Sequence, residues 1–195
     1  MRINERVSSR AGSTAARRDQ IVEATIAVLA ERGYAATSYD AICAQAGLSS
    51  KRLISYHFST KDELLAEVLH RVTTDAAEFM RPALDAADGP AEQLAAYIRT
   101  NVEFIAARPE HVRAVQQIAF GGGPVPSDEG DAAVARLVGL FDNGQRSGAF
   151  RPFDSTLMAV VLRAAIDAVA GRLITGADPV HCADELVATF AEATA

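Results

Sequence analysis

Between Ser49 and Lys61 the chain concentrates side chains that donate hydrogen bonds or carry positive charge: Ser49, Ser50, Lys51, Arg52, Ser55, Tyr56, His57 and Lys61. Hydroxyls, ammonium groups and a guanidinium on one short segment suit phosphate oxygens and the acceptor edges of bases. Bond-making chemistry finds no comparable cluster. His57, His70, His111 and His181 are dispersed, without His/Glu metal spacing, a Gly-x-Ser-x-Gly elbow or a phosphate-binding loop. No catalytic residue, metal or cofactor is expected. Cys43 and Cys182 lie far apart in helical patterns and read as buried thiols.

The elements that must position these donors are legible around them. Thr37 is a candidate N-cap, with Asp40 three residues on as the acidic half of a capping box, and Ala41, Ile42 and Ala46 form a small apolar face. Gly47 stands where a helix needs a left-handed C-terminal residue, and Leu48 can plug the corner that follows. Ser49 can cap the next helix, which Leu53 and Ile54 anchor while the polar residues remain free. Two short helices around a glycine, the second bearing donors and cations, form the helix-turn-helix pattern. Spacing alone also fits helical proteins that never meet DNA.

The charge distribution bears on that choice. Net charge over 195 residues is −6, but residues 1–61 hold nine Lys+Arg against five Asp+Glu, or +4, and residues 62–195 hold ten against twenty, or −10. A basic head on an acidic body suits a DNA reader with a separate effector body, because phosphate attraction is local. Residues 1–13, with Arg2, Arg6 and Arg10 among Ser, Gly and Ala, read as a disordered basic tail. The apolar fraction of 49% is globular. No apolar run approaches the ~20 residues of a membrane span, and the polar N-terminus lacks a signal-peptide core, so a cytoplasmic protein without membrane contact is expected.

Ile21-Val22-Glu23-Ala24, Gly33-Tyr34-Ala35-Ala36-Thr37-Ser38, Ile42, Ala46-Gly47-Leu48-Ser49, Tyr56-His57-Phe58 and Lys61-Asp62-Glu63-Leu64-Leu65 occur in that order. Together they resemble the N-terminal domain of the tetracycline-repressor (TetR) family. The resemblance covers about the first third of the chain. It implies a ligand-responsive transcription regulator, a repressor rather than an activator, bound as a homodimer to a palindromic operator in double-stranded DNA. Ser49, Ser50, Lys51, Arg52, Ser55 and Tyr56 would then grip or read the major groove, and Thr37, Ser38, His57 and Lys61 would position the phosphate backbone. The chain departs from the family pattern in one place. Ser55 stands where a tyrosine is usual, and the spacing from Ser49 to Ile54 is one residue longer, which in a helix would turn the presented face by about 100°.

The remaining pattern predicts an all-α fold of about nine helices. A first helix is expected from about Ala15 to Arg32, capped by Thr14, with Arg17 and Arg18 in its first turn as backbone-contact candidates. Thr60 and Glu63 make a capping box for a long helix that Arg81-Pro82 ends or kinks. Further helices open at Gly89-Pro90, Pro109, Ser127 or Asp128, Asp154 and Asp178-Pro179, and Gly121–Pro126 is read as a flexible link. The helix of about Ser155–Thr175 is apolar nearly all round and so buried on both sides. By resemblance it and the last helix pair with their copies in the dimer. Residues 14–61 are assigned to the DNA-binding domain and 62–195 to an effector-binding and dimerisation domain. Tyr97, Asn101, Phe104, Gln116, Gln117, Phe120, Phe141, Arg163 and Asp167 are candidates for a pocket that takes a small apolar or amphipathic effector. Arg163 and Asp167, four apart, also suit a mutual ion pair. The competing class is an all-α dimeric small-molecule carrier or enzyme without DNA binding.

Overall fold

A computed structural model describes the backbone of residues 2–123 and 127–195, and the side chains of 14–123 and 132–195. Among these residues all regular structure is helical: α1 (Arg2–Arg32), α2 (Tyr39–Ala46), α3 (Lys51–His57), α4 (Lys61–Ala86), α5 (Pro90–Ala107), α6 (Pro109–Phe120), α7 (Ser127–Ser147), α8 (Ser155–Ile174) and α9 (Pro179–Thr194). The chain divides into two compact units, Met1–Val72 with Glu110–Val125, and Thr73–Pro109 with Pro126–Ala195.

In the first unit, Ile21, Val22, Ile26, Val28 and Leu29 of α1 are buried, as are Ile42 of α2, Ile54 of α3, Phe58, and Leu64, Leu65 and Val68 of α4. Each such side chain contributes about 1.5–3 kcal/mol relative to exposure. Exposed ion pairs contribute about 0.2–1 kcal/mol each, so apolar burial dominates and the ion pairs orient. In the second unit α5 packs on α7, α8 and α9. Its core includes Leu94, Ile98, Val102, Leu137, Phe141, Leu162, Ile166 and Phe190. Phe141 of α7 meets Phe150 and Phe153, in the turn before α8, edge-on. Gly144 is required there, since a Cβ at this position would lie 2.0 Å from the Phe150 ring.

Several boundaries differ from the sequence expectation. Helix α1 starts at Arg2 rather than near Ala15, so the segment read as a tail carries helical backbone. Extending a formed helix requires only propagation, and Arg2–Ser13 contains no proline. The side chains of residues 1–13 lie outside the described residues. Thr14 is consequently no cap, and Arg17 and Arg18 sit in the helix interior, where the dipole argument has no force. Of the two outcomes expected at Arg81-Pro82, an end or a kink, the end does not occur: α4 runs through Pro82 to Ala86. Pro124–Pro126, the second half of the expected link, lie outside the described residues. Helix α8 is buried on one side only: Ala159, Leu162, Ile166, Ala170 and Leu173 face the core, while Leu157, Val160 and Val161 are exposed. Cys43 is buried as expected, but Cys182 is only half-buried.

Candidate nucleic-acid interface

The reading frame begins with α2. Its N-cap is Ser38, whose Oγ accepts from the Ala41 N–H at 3.2 Å, one residue later than expected. Thr37 is buried instead, and its hydroxyl donates to the Gly33 carbonyl at 2.8 Å. Asp40 does not close a capping box; it accepts from Lys51 Nζ at 2.9 Å. Gly47 ends α2 at φ 63°, as its position suggested, and the Leu48 N–H returns to the Cys43 carbonyl. Gln20 of α1 holds the same end of α2 by donating to the Ala46 carbonyl at 2.7 Å.

The cap of α3 is Ser50, not Ser49, and it accepts from the Arg52 N–H at 3.2 Å. Ser49 therefore lies in the turn, and the helix itself begins at Lys51. Successive residues of α3 step by about 100°. Lys51, Arg52, Ser55 and Tyr56 thus share the exposed side, opposite the buried Ile54. Tyr56 is 78% exposed, an unusual position for a tyrosine without a partner surface. Ser49 and Ser50 are exposed beside it.

His57 closes α3 half-buried, with its ring edge-on to Tyr56 at 5.1 Å. Burial, then Arg18 and Arg17, push its imidazole below the ordinary value of 6.5. Arg18 is the main support here. Its guanidinium lies 4.2 Å from the Phe58 ring centroid, donates to the His57 carbonyl at 2.8 Å and pairs with Glu67 at 2.7 Å. Arg71 of α4 pairs with Asp19 and Glu23 of α1. These contacts tie α1, the end of α3 and α4 together. The sequence reading missed the supporting role of Arg18 because its partners lie 39 and 49 residues away.

Helix α4 opens with the expected reciprocal cap: the Thr60 Oγ accepts from the Glu63 N–H, and the Glu63 carboxylate accepts from the Ser59 N–H. Lys61 lies in the first turn, its ammonium 4.5 Å from the Tyr34 ring centroid. Lys51 and Lys61 are the only lysines in the chain. Among the described residues no group of three or more His, Cys, Asp and Glu side chains could hold a metal ion. No described helix is long and apolar enough to cross a membrane.

The effector candidates divide between the units. In the second unit Arg163 of α8 donates to the Tyr97 hydroxyl at 3.2 Å and to Asn101 Oδ1 at 3.5 Å, and it pairs with Asp167 at 3.1 Å. Burial disfavours the Arg163 charge, but Tyr97 and Asp167 outweigh it and raise its pKa. Asn101 donates to the Tyr97 carbonyl at 2.7 Å and meets the sulfur of Met80. Phe104 packs edge-on to Phe79. Phe141 belongs to the aromatic cluster of the α7–α8 turn. Gln116, Gln117 and Phe120 fall in the first unit. There the Gln117 carboxamide oxygen accepts from the Tyr34 N–H at 3.2 Å, and Phe120 is exposed. A small apolar cavity of about 220 Å³ is lined by Leu94, Ile98, Phe150, Val187, Ala191 and Thr194 among others, and by none of the predicted pocket residues.

Comparisons with known proteins bear on this arrangement. Residues 21–68, which include all of α2 and α3, match the family described as bacterial regulatory proteins, tetR family. A curated relative, the HTH-type transcriptional regulator BetI of Stenotrophomonas maltophilia (strain R551-3), is 33% identical over 88 residues, 45% of this chain. That alignment spans 44% of the relative's own length. Among solved structures, a TetR-like transcriptional regulator from Rhodococcus sp. RHA1 superposes with TM-score 0.69 at 27% identity, covering 88% of this chain and 91% of that one. AibR, solved with isovaleryl coenzyme A and operator DNA, shares the fold at TM-score 0.75 and 20% identity, covering 89% and 97%. The family pattern, the helix-turn-helix geometry and the likeness of fold converge: over residues 21–68 the chain carries the N-terminal pattern of the tetR family of bacterial regulatory proteins, and its fold as a whole is similar to that of TetR-like regulators.

Proposed function

We propose that the protein is a ligand-responsive DNA-binding transcription regulator that represses by occupying a palindromic operator. One observation carries the reading: Lys51, Arg52, Ser55 and Tyr56 stand exposed on the side of α3 opposite its buried anchor Ile54. Cations and hydroxyls presented together on the exposed side of a short helix suit a major groove. Arg52 and Lys51 reach base edges or adjacent phosphates, with Ser49, Ser50, Ser55 and Tyr56 gripping beside them. Ser38, His57 and Lys61 position the backbone, Lys61 from the first turn of α4, where backbone N–H groups also favour an anion. Thr37 acts indirectly, by closing the loop before α2.

The exposed apolar residues of α8 and α9, Leu157, Val160, Val161 and Val180, support a homodimer through these helices. A two-fold dimer carries two reading heads and matches half-sites about one helical turn apart. In the second unit the cluster of Tyr97, Asn101, Arg163 and Asp167 among apolar neighbours supports an amphipathic effector as the ligand. AibR, with its bound acyl coenzyme A, is a precedent for a small-molecule effector in this fold. We assign DNA reading to the helix-turn-helix segment 14–61, and effector binding and dimerisation to 62–195.

The test is a selection of genomic fragments bound by the purified protein, followed by fluorescence anisotropy at two salt concentrations. A palindrome bound with salt-sensitive affinity is expected. A folded protein that binds ligand but shows no salt-dependent duplex affinity would instead belong to the carrier or enzyme class.

A further inference from the structure

Tyr34 lies in the loop after α1, outside the groove-facing residues, yet it touches two elements at once. Its ring carries the Lys61 ammonium at 4.5 Å from the centroid. The same ring lies against the backbone that closes α6. A Cβ placed on Gly121 would fall 2.1 Å from Tyr34 Cγ, and one on Gly123 would fall 3.1 Å from Tyr34 Cε2. At Gly121 glycine alone lets the chain pass this close to the ring, whereas at Gly123 the ring is a tight neighbour and the nearer atom is Ile118 Cγ2 at 2.8 Å. The turn is held in register by its own backbone: the Gly121 N–H donates to the Gln117 carbonyl and the Gly123 N–H to the Ile118 carbonyl, both at 3.0 Å. Gln117 then fixes the loop itself, because its carboxamide oxygen accepts from the Tyr34 N–H at 3.2 Å. All of these residues belong to the first unit.

A lysine has a flexible four-carbon stem and a compact charge, so an unsupported ammonium samples many positions. An aromatic face attracts that ammonium electrostatically and narrows the range. We infer that Tyr34 is the positioning residue for Lys61, and that Gln117 and the glycines closing α6 seat Tyr34, so that the C-terminal turn of α6 and Lys61 are coupled through one aromatic ring. A displacement of Gly121 or Gln117 then reaches Lys61 without passing through α2 or α3. The consequence for DNA rests on the proposed contact of Lys61 with phosphate; the seating itself does not.

The experiment uses the full chain labelled with ¹³C-lysine, which gives Cε–Hε signals from Lys51 and Lys61 only. Lys51, paired with Asp40 in solvent, is the internal reference. The Lys61 signal is expected upfield of Lys51 through the ring current of Tyr34. Tyr34→Phe keeps that shift, whereas Tyr34→Leu moves Lys61 toward Lys51. Gly121→Ala, which must push the ring aside, moves Lys61 and leaves Lys51 in place. Far-UV circular dichroism and thermal unfolding check the fold of each variant, and the Phe and Leu pair decides even if Gly121→Ala does not fold. A Lys61 signal at the exposed position in the parent protein, or one unmoved in Tyr34→Leu, overturns the inference.

On operator DNA, Tyr34→Leu is expected to lose roughly threefold to tenfold in affinity across all sequences, the range that a partly exposed cation–π contact supports, with Tyr34→Phe restoring it. Unchanged affinity in a Tyr34→Leu protein whose Lys61 signal has moved would overturn the positioning role. If the parent protein binds no duplex, the proposed function fails, while the lysine spectra still decide the seating of Lys61.

Discussion

Asp40 of α2 holds the ammonium of Lys51 at 2.9 Å across the turn that joins the two helices. Both side chains are more than half exposed, so the pair adds little to stability. On the proposed function its effect falls on DNA, where Lys51 would exchange this carboxylate for a phosphate or base. Asp40→Asn is therefore expected to raise operator affinity several-fold and to leave the unfolding midpoint nearly unchanged. Anisotropy titrations beside thermal melts check both halves. Weaker binding would mean that Asp40 aligns Lys51 instead of competing for it.

Lys61 and Arg52 separate by the contacts proposed for them. Lys61→Ala should weaken binding to all sequences about equally and lower the salt slope by ~1. Arg52→Ala should cost roughly 1–3 kcal/mol and relax sequence preference at one position. Titrations of the operator and of singly substituted operators at several salt concentrations distinguish them. A change of sequence preference in Lys61→Ala would show that base and backbone contacts have been exchanged in this assignment.

His57 titrates below its ordinary value in the free protein, through burial first and then Arg18 and Arg17. The folded pKa lies below the unfolded one, so the unfolded chain binds more protons between the two. The associated stability is present above the unfolded value of about 6.5 and is lost as pH falls through it toward the folded value. An NMR titration of the imidazole should give a depressed midpoint, which Arg17→Gln raises. Operator binding should raise it as well, because phosphates favour the imidazolium. An unshifted His57 in the free protein would contradict the electrostatic picture around Arg18.

Leu157 is 61% exposed on α8, beside Val160 and Val161. Leu157→Glu is expected to weaken self-association strongly while leaving the fold of each copy intact. Sedimentation velocity over a range of concentrations checks this. Operator affinity should fall with it, since the two half-sites would no longer be bound as one unit. Unchanged sedimentation would place the contact between copies elsewhere.

The locations of the helices were largely legible in the sequence. Gly47 and Gly89 adopt positive φ at the helix boundaries that their positions suggested, and Asp154 and Asp178 cap the helices they precede. The caps of α2 and α3 were each expected one residue early. Thr37-Ser38 and Ser49-Ser50 both offer two capping residues in a row, and local propensity does not choose between them. In the first case burial chooses, because Thr37 turns inward and satisfies its hydroxyl on the Gly33 carbonyl. In the second, Ser50 caps by accepting from the Arg52 N–H, which leaves Ser49 in the turn. The start of α1 was misread, and the course of α4 at Pro82 was left open between an end and a kink, because flanking polar residues and an isolated proline weaken a helical pattern without necessarily ending it.

Of the candidate interface, the sequence named the donors and cations, and Lys51, Arg52, Ser55 and Tyr56 are exposed on α3. It did not show what holds them. Arg18 on Phe58 and the His57 carbonyl, Gln20 on the Ala46 carbonyl, and Gln117 on Tyr34 each join residues 26 or more positions apart. Helical periodicity, capping chemistry and glycine's freedom at positive φ act within one or two turns of chain, so the sequence by itself determined the helices and the donors they present. Ion pairs, hydrogen bonds and ring contacts depend on separation in space. Only the tertiary structure could therefore decide that Thr37 is buried, that α8 keeps an exposed apolar side, and that Lys61 rests on Tyr34.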